Sequence, residues 1–524
     1  MRCTDTEIQY DASDSTIVDD TVVEDLDYTS DDEGDFTTNP KINISFSSAH
    51  SLSGLTINFN GAPPVRLSCK WTHEYGVSTK TYDVGVSNFV IYQSITNCTA
   101  IEIEILKAQP NSKIDIDEIK YGVCINWGVN DVKTGTLVLE VDRIAEFMSV
   151  NTLTFDVVDT TELTNPGNAE GLHKYLQKRK PIYPYEIIDG QKIPLGDFFL
   201  ETFNYENNIC HITATSYVAI LDTIQYNNGA IYNGISAGVV LADIFSVAGV
   251  TNYTIDSTTA SQPLYGTIIP CTCKEALRQV LFACHSVIDT SDASNIKIKK
   301  STTGVFGELT KDNKFSTRVN KKDYISGVNI KYTHYAAKSE SENVINDVYG
   351  AGTHKIVFTT PYTNYSIVGA TLDNYGTFFV EFTVSGTQQV IVTAYAYEAF
   401  DNSVQVNHYE ADEDESVREF STTLCNITTA RALASKLLNF YSNRFEIEAK
   451  YLADDVAMDK RLEIYNPTED FANYIGIVTS RTIDLTGGFI DTARYIGYFD
   501  TSSTQYYMTG AEDEEVIADN SLLI

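Results

Sequence analysis

The chain has 524 residues, enough for several hydrophobic cores and for about three or four domains. Its 43% hydrophobic and 21% charged residues describe a globular protein and exclude a disordered one. A net charge of −34, from 37 basic and 71 acidic side chains, excludes specific duplex recognition and adhesion to anionic membranes.

Tyrosine is the compositional oddity, with 33 Tyr and 24 Phe against two Trp and four Met. Aromatic rings pack well across a pleated surface, so a mainly β protein is expected. The nine cysteines (Cys3, Cys69, Cys98, Cys124, Cys210, Cys271, Cys273, Cys284 and Cys425) are odd in number and lack CxxC spacing. That is no disulfide framework, and it fits folding in a reducing cytosol. Met1-Arg2-Cys3-Thr4-Asp5 leads into acidic sequence rather than an apolar leader. The longest apolar run, 237–250, is too short for a bilayer and contains Asp243, so no stable membrane insertion is expected.

Residues 1–40 are acidic and poor in large apolar groups, a composition that would be disordered in isolation. From 41 to 122 a period of two dominates. Val65, Leu67, Cys69 and Trp71 alternate with Arg66, Ser68 and Lys70, and Ile101, Ile103 and Ile105 alternate with Glu102 and Glu104. Ile44/Phe46, Leu55/Ile57/Phe59, Tyr82/Val84/Val86 and Ile114/Ile116 add strands, which together read as a jelly-roll β-sandwich. Residues 123–228 hold two alternating strands, a short basic helix and a hairpin. Asp189-Gly190 supplies the tight turn between Ile188 and Gln191, and a further strand runs into a helix.

Residues 229–318 read as a small α+β domain. An apolar helix covers 236–248, and a second starts near Lys274 behind Thr272-Cys273-Lys274-Glu275. That sequence is a capping box in which hydroxyl and carboxylate both satisfy free N–H groups. Leu277, Val280, Leu281, Cys284 and Ile288 share one face of the expected helix. A second β-domain covers 319–500. Its strands lie at 324–332 and 461–465 and in a hairpin over 475–498 turned at Gly487-Gly488; a helix lies at 429–441, and a β-subdomain is inserted near 335–420. An acidic tail occupies 501–524.

The order of these elements carries a resemblance. VLEVDR, NTLTFDVVDTTELTNP, LHKYLQKRKPIYPYEIIDGQKIPLGDFFLETFNYENN and HITATSYVAILDTI stand in 138–224. In that order they resemble the hub proteins at the distal end of bacteriophage tails, found also in prophages and phage-tail-like particles of Gram-positive bacteria. The resemblance covers 40–498 and is best in 132–225 and 265–300. INISFS, LTINF and IDEIKYG, within 42–122, resemble a module inserted in siphophage tail proteins that often binds carbohydrate. Beside hubs of this kind the chain's start looks truncated.

The resemblance implies tandem tube-like β-barrel domains, the first at 123–228, with the jelly-roll inserted. It also implies a homotrimeric baseplate hub at the virion tail tip, made in the host bacterial cytoplasm. Implied partners are tail tube or distal tail proteins above and tip, spike or fibre proteins below. Genomic DNA would cross a central channel only in transit during ejection. The alternatives are a carbohydrate-binding protein for host attachment and a tail-associated cell-wall hydrolase. The negative charge fits either an acidic channel wall or ordinary surface solubility.

Candidate chemistry is sparse. Cys271, Cys273, Cys284 and His285 raise a metal site, but zinc wants four converging ligands and Cys284 falls on an apolar helix face. Asp412-Glu413-Asp414-Glu415 lacks the glycine turn of a calcium loop. No GxSxG, HExxH or P-loop motif occurs, so the expectation is a non-enzyme without cofactors. Glycan contact in the jelly-roll would use His73, Tyr75 and Tyr92; Trp71 is in phase with the core strand instead. Lys174, Lys178, Arg179 and Lys180 form a positive cluster. It is either the wet face of a short helix, with Leu172, Tyr175 and Leu176 inward, or a contact to the next subunit.

Overall fold

A computed structural model describes residues 4–14, 16–17, 21–159, 162, 164–168, 171–188, 191–290, 295–300, 305–310, 314–408, 416–452, 458, 461–465, 467, 472–486, 488, 490–500, 507–509 and 514–516. Asp189, Gly190, Gly487 and the acidic run 412–415 lie outside the described residues. The fold is mainly β, with several antiparallel sheets and few helices. It divides into two compact units, Met1–Gly135 with Leu153–Ala214, and Thr136–Thr152 with Thr215–Ile524.

In the first unit, part of the acidic opening stretch is strand. Thr4–Asp11 lies between Cys124–Trp127 and Pro181–Ile188, because Ile8 and Tyr10 alternate with polar residues and are both fully buried. Asp11 stands opposite Cys124, so the chain leaves this sheet and re-enters it on adjacent strands. The sequence between builds two further antiparallel sheets. One is ordered Thr21–Asp25, Lys41–Leu52, Ile95–Lys107, Arg66–His73, Gly76–Asp83; the other is Asn88–Ile91, Leu55–Phe59, Ile116–Lys120.

Ile44, Ile57, Leu67, Cys69, Trp71, Ile101 and Ile103 from both sheets share one core. Fully burying a side chain of this kind contributes about 1.5–3 kcal/mol. The expected strand over Tyr82, Val84 and Val86 stops at Asp83, and Val86 is 57% exposed in the link to the next strand. The hairpin Pro181–Ile188 and Gln191–Pro194 pairs Ile188 with Gln191 across the two undescribed turn residues.

In the second unit the first sheet joins the end of Val132–Glu140 to Asn473–Asp484, Ile490–Asp500, Phe445–Leu452 and Lys314–Lys321. Its interior accounts for part of the tyrosine content. Tyr474 donates to the Phe445 and Tyr495 carbonyls at 2.9 and 3.0 Å, and the Tyr495 hydroxyl donates to that of Tyr451 at 3.0 Å. Beside them Arg481 Nε meets Asp491 Oδ2 at 2.6 Å in an almost fully buried ion pair. A second sheet runs Glu342–Tyr349, Gln388–Asn407, Gly327–Ala337, Val417–Thr422, and a third runs Gly352–Val357, Phe379–Val384, Thr371–Tyr375.

The helices Ala237–Ala248, Cys273–Cys284 and Ile427–Tyr441 pack into one core with Val328, Ile330 and Phe420. The expected face of the middle helix is buried at Leu277, Val280, Leu281 and Cys284. Ile288, assigned to that face from the sequence, sits instead in the strand Val287–Asp289, because His285 takes a left-handed conformation and ends the helix. No helix is long and apolar enough to cross a membrane among the described residues. Asp243, which interrupts the apolar run, accepts a hydrogen bond from the Tyr226 hydroxyl at 2.8 Å.

Candidate functional site

The basic segment of the first unit is irregular, with only a 3-10 turn over Leu172–Lys174. What holds it is Tyr10, whose hydroxyl donates to the Tyr175 carbonyl and accepts from the Gln177 N–H at 2.9 Å. Burial pushes the Tyr10 phenol up to about 12, so it keeps its proton and its donor role at neutral pH. Tyr175 and Leu176 are turned into the interior.

At the end of the same strand, Asp11 Oδ1 accepts from the Ser13 N–H at 2.8 Å and the Cys124 thiol at 2.9 Å, and Oδ2 meets Lys120 at 3.0 Å. Burial alone would raise this carboxyl. The hydrogen bonds from Cys124, Ser13 and Lys120 outweigh it and hold the group down at about 2. No sequence signal links Asp11 to Lys120 and Cys124; only the Asp-Ala-Ser turn motif hints at a local partner.

The four cations predicted as a cluster have different surroundings. Lys178 is paired with Glu201 at 2.6 Å, and Lys174 lies 5.6 Å from the centre of the Tyr175 ring. Arg179 is exposed; its backbone is left-handed, with φ 68°, and its N–H donates to the Leu200 carbonyl at 2.7 Å. Lys180 lines a polar cavity of about 370 Å³ with Ser13, Asp14, Ser51, Ser53 and Gln177.

A second basic element, in the other unit, was not legible as a cluster. The strand Lys314–Lys321 carries Lys314, Arg318 and Lys321, and Lys322 follows. The domain boundary expected at 318 falls inside it. The strand pairs with Phe445–Leu452, and among the described residues nothing pairs with its other side. Lys314 is tied to the Tyr465 carbonyl at 2.8 Å and Lys322 to Glu446 at 2.7 Å. Arg318 is exposed, and Phe315 is 59% exposed. An edge that no described strand covers, with an outward phenylalanine and an arginine, is a ready surface for another chain.

His73 and Tyr75 stand together at the hairpin between Arg66–His73 and Gly76–Asp83, with rings 6.3 Å apart and Tyr75 79% exposed. Tyr92 packs elsewhere, 5.6 Å from the Tyr175 ring, with its hydroxyl raised by burial and by Tyr175. Trp71 is fully buried in the sandwich core. The eight described cysteines are free thiols. Cys273 and Cys284 are buried and Cys271 half-buried, and no group of three or more His, Cys, Asp or Glu placed to hold a metal occurs among the described residues.

No protein-family model and no curated protein matches the chain. Among solved structures it is similar to a tail protein from Neisseria meningitidis MC58, at 8% identity and a TM-score of 0.43, over 70% of this chain and 92% of that one. It is similar to the 43 kDa tail protein of prophage MuSo2 from Shewanella oneidensis at 12% identity and 0.40, over 71% and 96%. It is also similar to the prophage tail protein gp18 from Listeria monocytogenes EGD-e at 8% identity and 0.40, over 72% and 94%.

Proposed function

We propose that the chain is a structural subunit of a phage-type tail hub, a homotrimeric ring that joins the tail tube to the tip and lets DNA through. The observation that carries the proposal is the basic strand Lys314–Lys321, whose outer edge pairs with no strand among the described residues, in a chain of net charge −34. A strand edge with no partner strand among the described residues and an exposed Phe315 is a liability in a monomer and an asset in a closed ring, where each neighbour covers it. An acidic second copy is the natural partner for Arg318, and Arg179 in the other unit is a further exposed cation.

In this reading the role is mechanical and not enzymatic. The tandem β-domains make the ring, partners are tube and tip components, and the jelly-roll inserted after Asp11 is an outward arm. A second reading, host adhesion through that arm, is favoured by the exposed Tyr75 beside His73.

Mass photometry and electron-microscopy class averages of the purified chain test the assembly. Threefold rings are expected from the wild type, with monomers from Arg318→Glu and Phe315→Asp. Both side chains are exposed, so each substitution should change subunit stability by about 0.5 kcal/mol or less. A wild-type chain that stays monomeric at micromolar concentration, or rings unaffected by both substitutions, would sink the proposal.

A further inference from the structure

The second unit contains a cavity of about 490 Å³ unlike the rest of this acidic molecule. It is lined by Tyr232, Tyr265, Tyr332, His334, Tyr335 and Asn402, among others, and no Asp, Glu, Lys or Arg among the described residues lines it. Four strands contribute to it. The strand Gly327–Ala337 brings Tyr332, Thr333, His334 and Tyr335, and Asn402 lies directly opposite Tyr332 on Gln388–Asn407. The pair Tyr232–Ser236 and Pro263–Gly266 adds Asn233 opposite Tyr265.

Gly266 explains how these meet. Its φ is 93°, and a Cβ there would fall 1.9 Å from the Thr423 carbonyl oxygen, so only glycine lets the short strand approach this closely.

The polar atoms around this cavity are largely unspent. Thr333 is bonded to Asp401 at 2.9 Å, and Asn402 donates to the Phe400 carbonyl at 3.1 Å, leaving its own carbonyl oxygen. The hydroxyls of Tyr265, Tyr332 and Tyr335, the Asn233 amide and the His334 ring have no hydrogen-bond partner among the described residues. Several aromatic rings, amides and hydroxyls without formal charge match a ligand with alternating C–H faces and hydroxyl edges. The size lies in the usual range of about 300–1,000 Å³ for small-molecule sites. Asp401, beside Thr333 and near Tyr335, disfavours an anion.

We infer that this cavity binds a neutral oligosaccharide of a few pyranose units, with Tyr335 as a stacking platform and Asn233 as a hydroxyl-binding amide. The site is separate from the jelly-roll candidates and stands whether or not the chain forms a ring.

Saturation-transfer NMR on the full chain, with chitotriose, cellotriose and maltotriose as neutral probes and trigalacturonate as the charged one, tests it. At least one neutral trisaccharide should bind with a Kd of about 1 mM or tighter. Tyr335→Ala should weaken it about tenfold and Asn233→Ala by a smaller factor, while Tyr335→Phe, which keeps the ring, should stay within about threefold of wild type. An unchanged thermal midpoint in Tyr335→Ala would separate a stacking role from a folding defect, and retained binding in Tyr335→Phe would assign the contact to the ring and not to the hydroxyl. The inference is overturned if none of the neutral probes binds, if Tyr335→Ala binds as well as wild type, or if trigalacturonate binds as tightly.

Discussion

His285 stands where a helix end, burial and two lysines meet. It closes Cys273–Cys284 with φ 49°, and its Nε2 is buried without a hydrogen-bond partner among the described residues. Burial, then the charges of Lys436 and Lys300, push its pKa down to about 4 from the usual 6.5. Between those values the unfolded chain binds a proton that the folded chain refuses, so stability is full above about pH 6.5 and falls as the pH drops toward 4. The linked loss is up to about 3 kcal/mol. His285→Asn keeps a residue that tolerates the left-handed conformation but does not titrate. Thermal unfolding followed from pH 7 to 4 should therefore show a shallower fall in the variant; equal slopes would mean that His285 takes up its proton in the fold as readily as in the unfolded chain. From the sequence this histidine, next to Cys284, raised a metal site. Cys284 was readable as core from its helical phase, but the lowered pKa of His285 depends on burial and on Lys436 and Lys300, which the chain brings from elsewhere.

At the scale of elements, periodicity was legible and side-chain pairing was not. The sequence places a capping box at Thr272 and Glu275, but only half of it forms. Thr272 Oγ accepts from the Glu275 N–H at 3.2 Å, while the Glu275 carboxylate turns to Arg278 at 2.6 Å and Gln279 at 3.0 Å. A charged guanidinium one turn along competes better for a carboxylate than a backbone N–H does. The box does form at Ile427–Tyr441, where Asn426 and Thr429 bond reciprocally at 3.0 Å, a pair that the sequence reading passed over. Thr272→Ala should then cost about 1 kcal/mol, whereas Glu275→Gln removes a part-exposed pair and should cost about 0.5 kcal/mol or less. Amide exchange across Cys273–Cys284 would report both, and a larger effect from Glu275→Gln would mean that the pair with Arg278 holds this helix end more than the Thr272 cap does. The sandwich strands were readable because Leu67, Cys69 and Trp71 keep strict alternation. Lys314–Lys321 was missed because its cations are three or four residues apart and make no run.

For the molecule as a whole, the charge of −34 sets two opposed electrostatic terms on self-assembly. General repulsion between like-charged copies acts over many ångströms and is screened first, with a Debye length of about 30 Å at 0.01 M salt and about 8 Å at 0.15 M. Contacts made by Arg318 or Arg179 act at hydrogen-bond distance and are screened less. Ring formation should therefore strengthen as salt rises from about 0.01 to about 0.15 M and level off or weaken toward about 1 M. Arg318→Glu should leave monomers across the whole series, because it replaces an attractive contact with one more repulsive one. Mass photometry across this series distinguishes the terms. A steady loss of rings from the lowest salt upward would mean that cationic contacts dominate over the repulsion, and a flat curve would mean that apolar burial at Phe315 governs assembly.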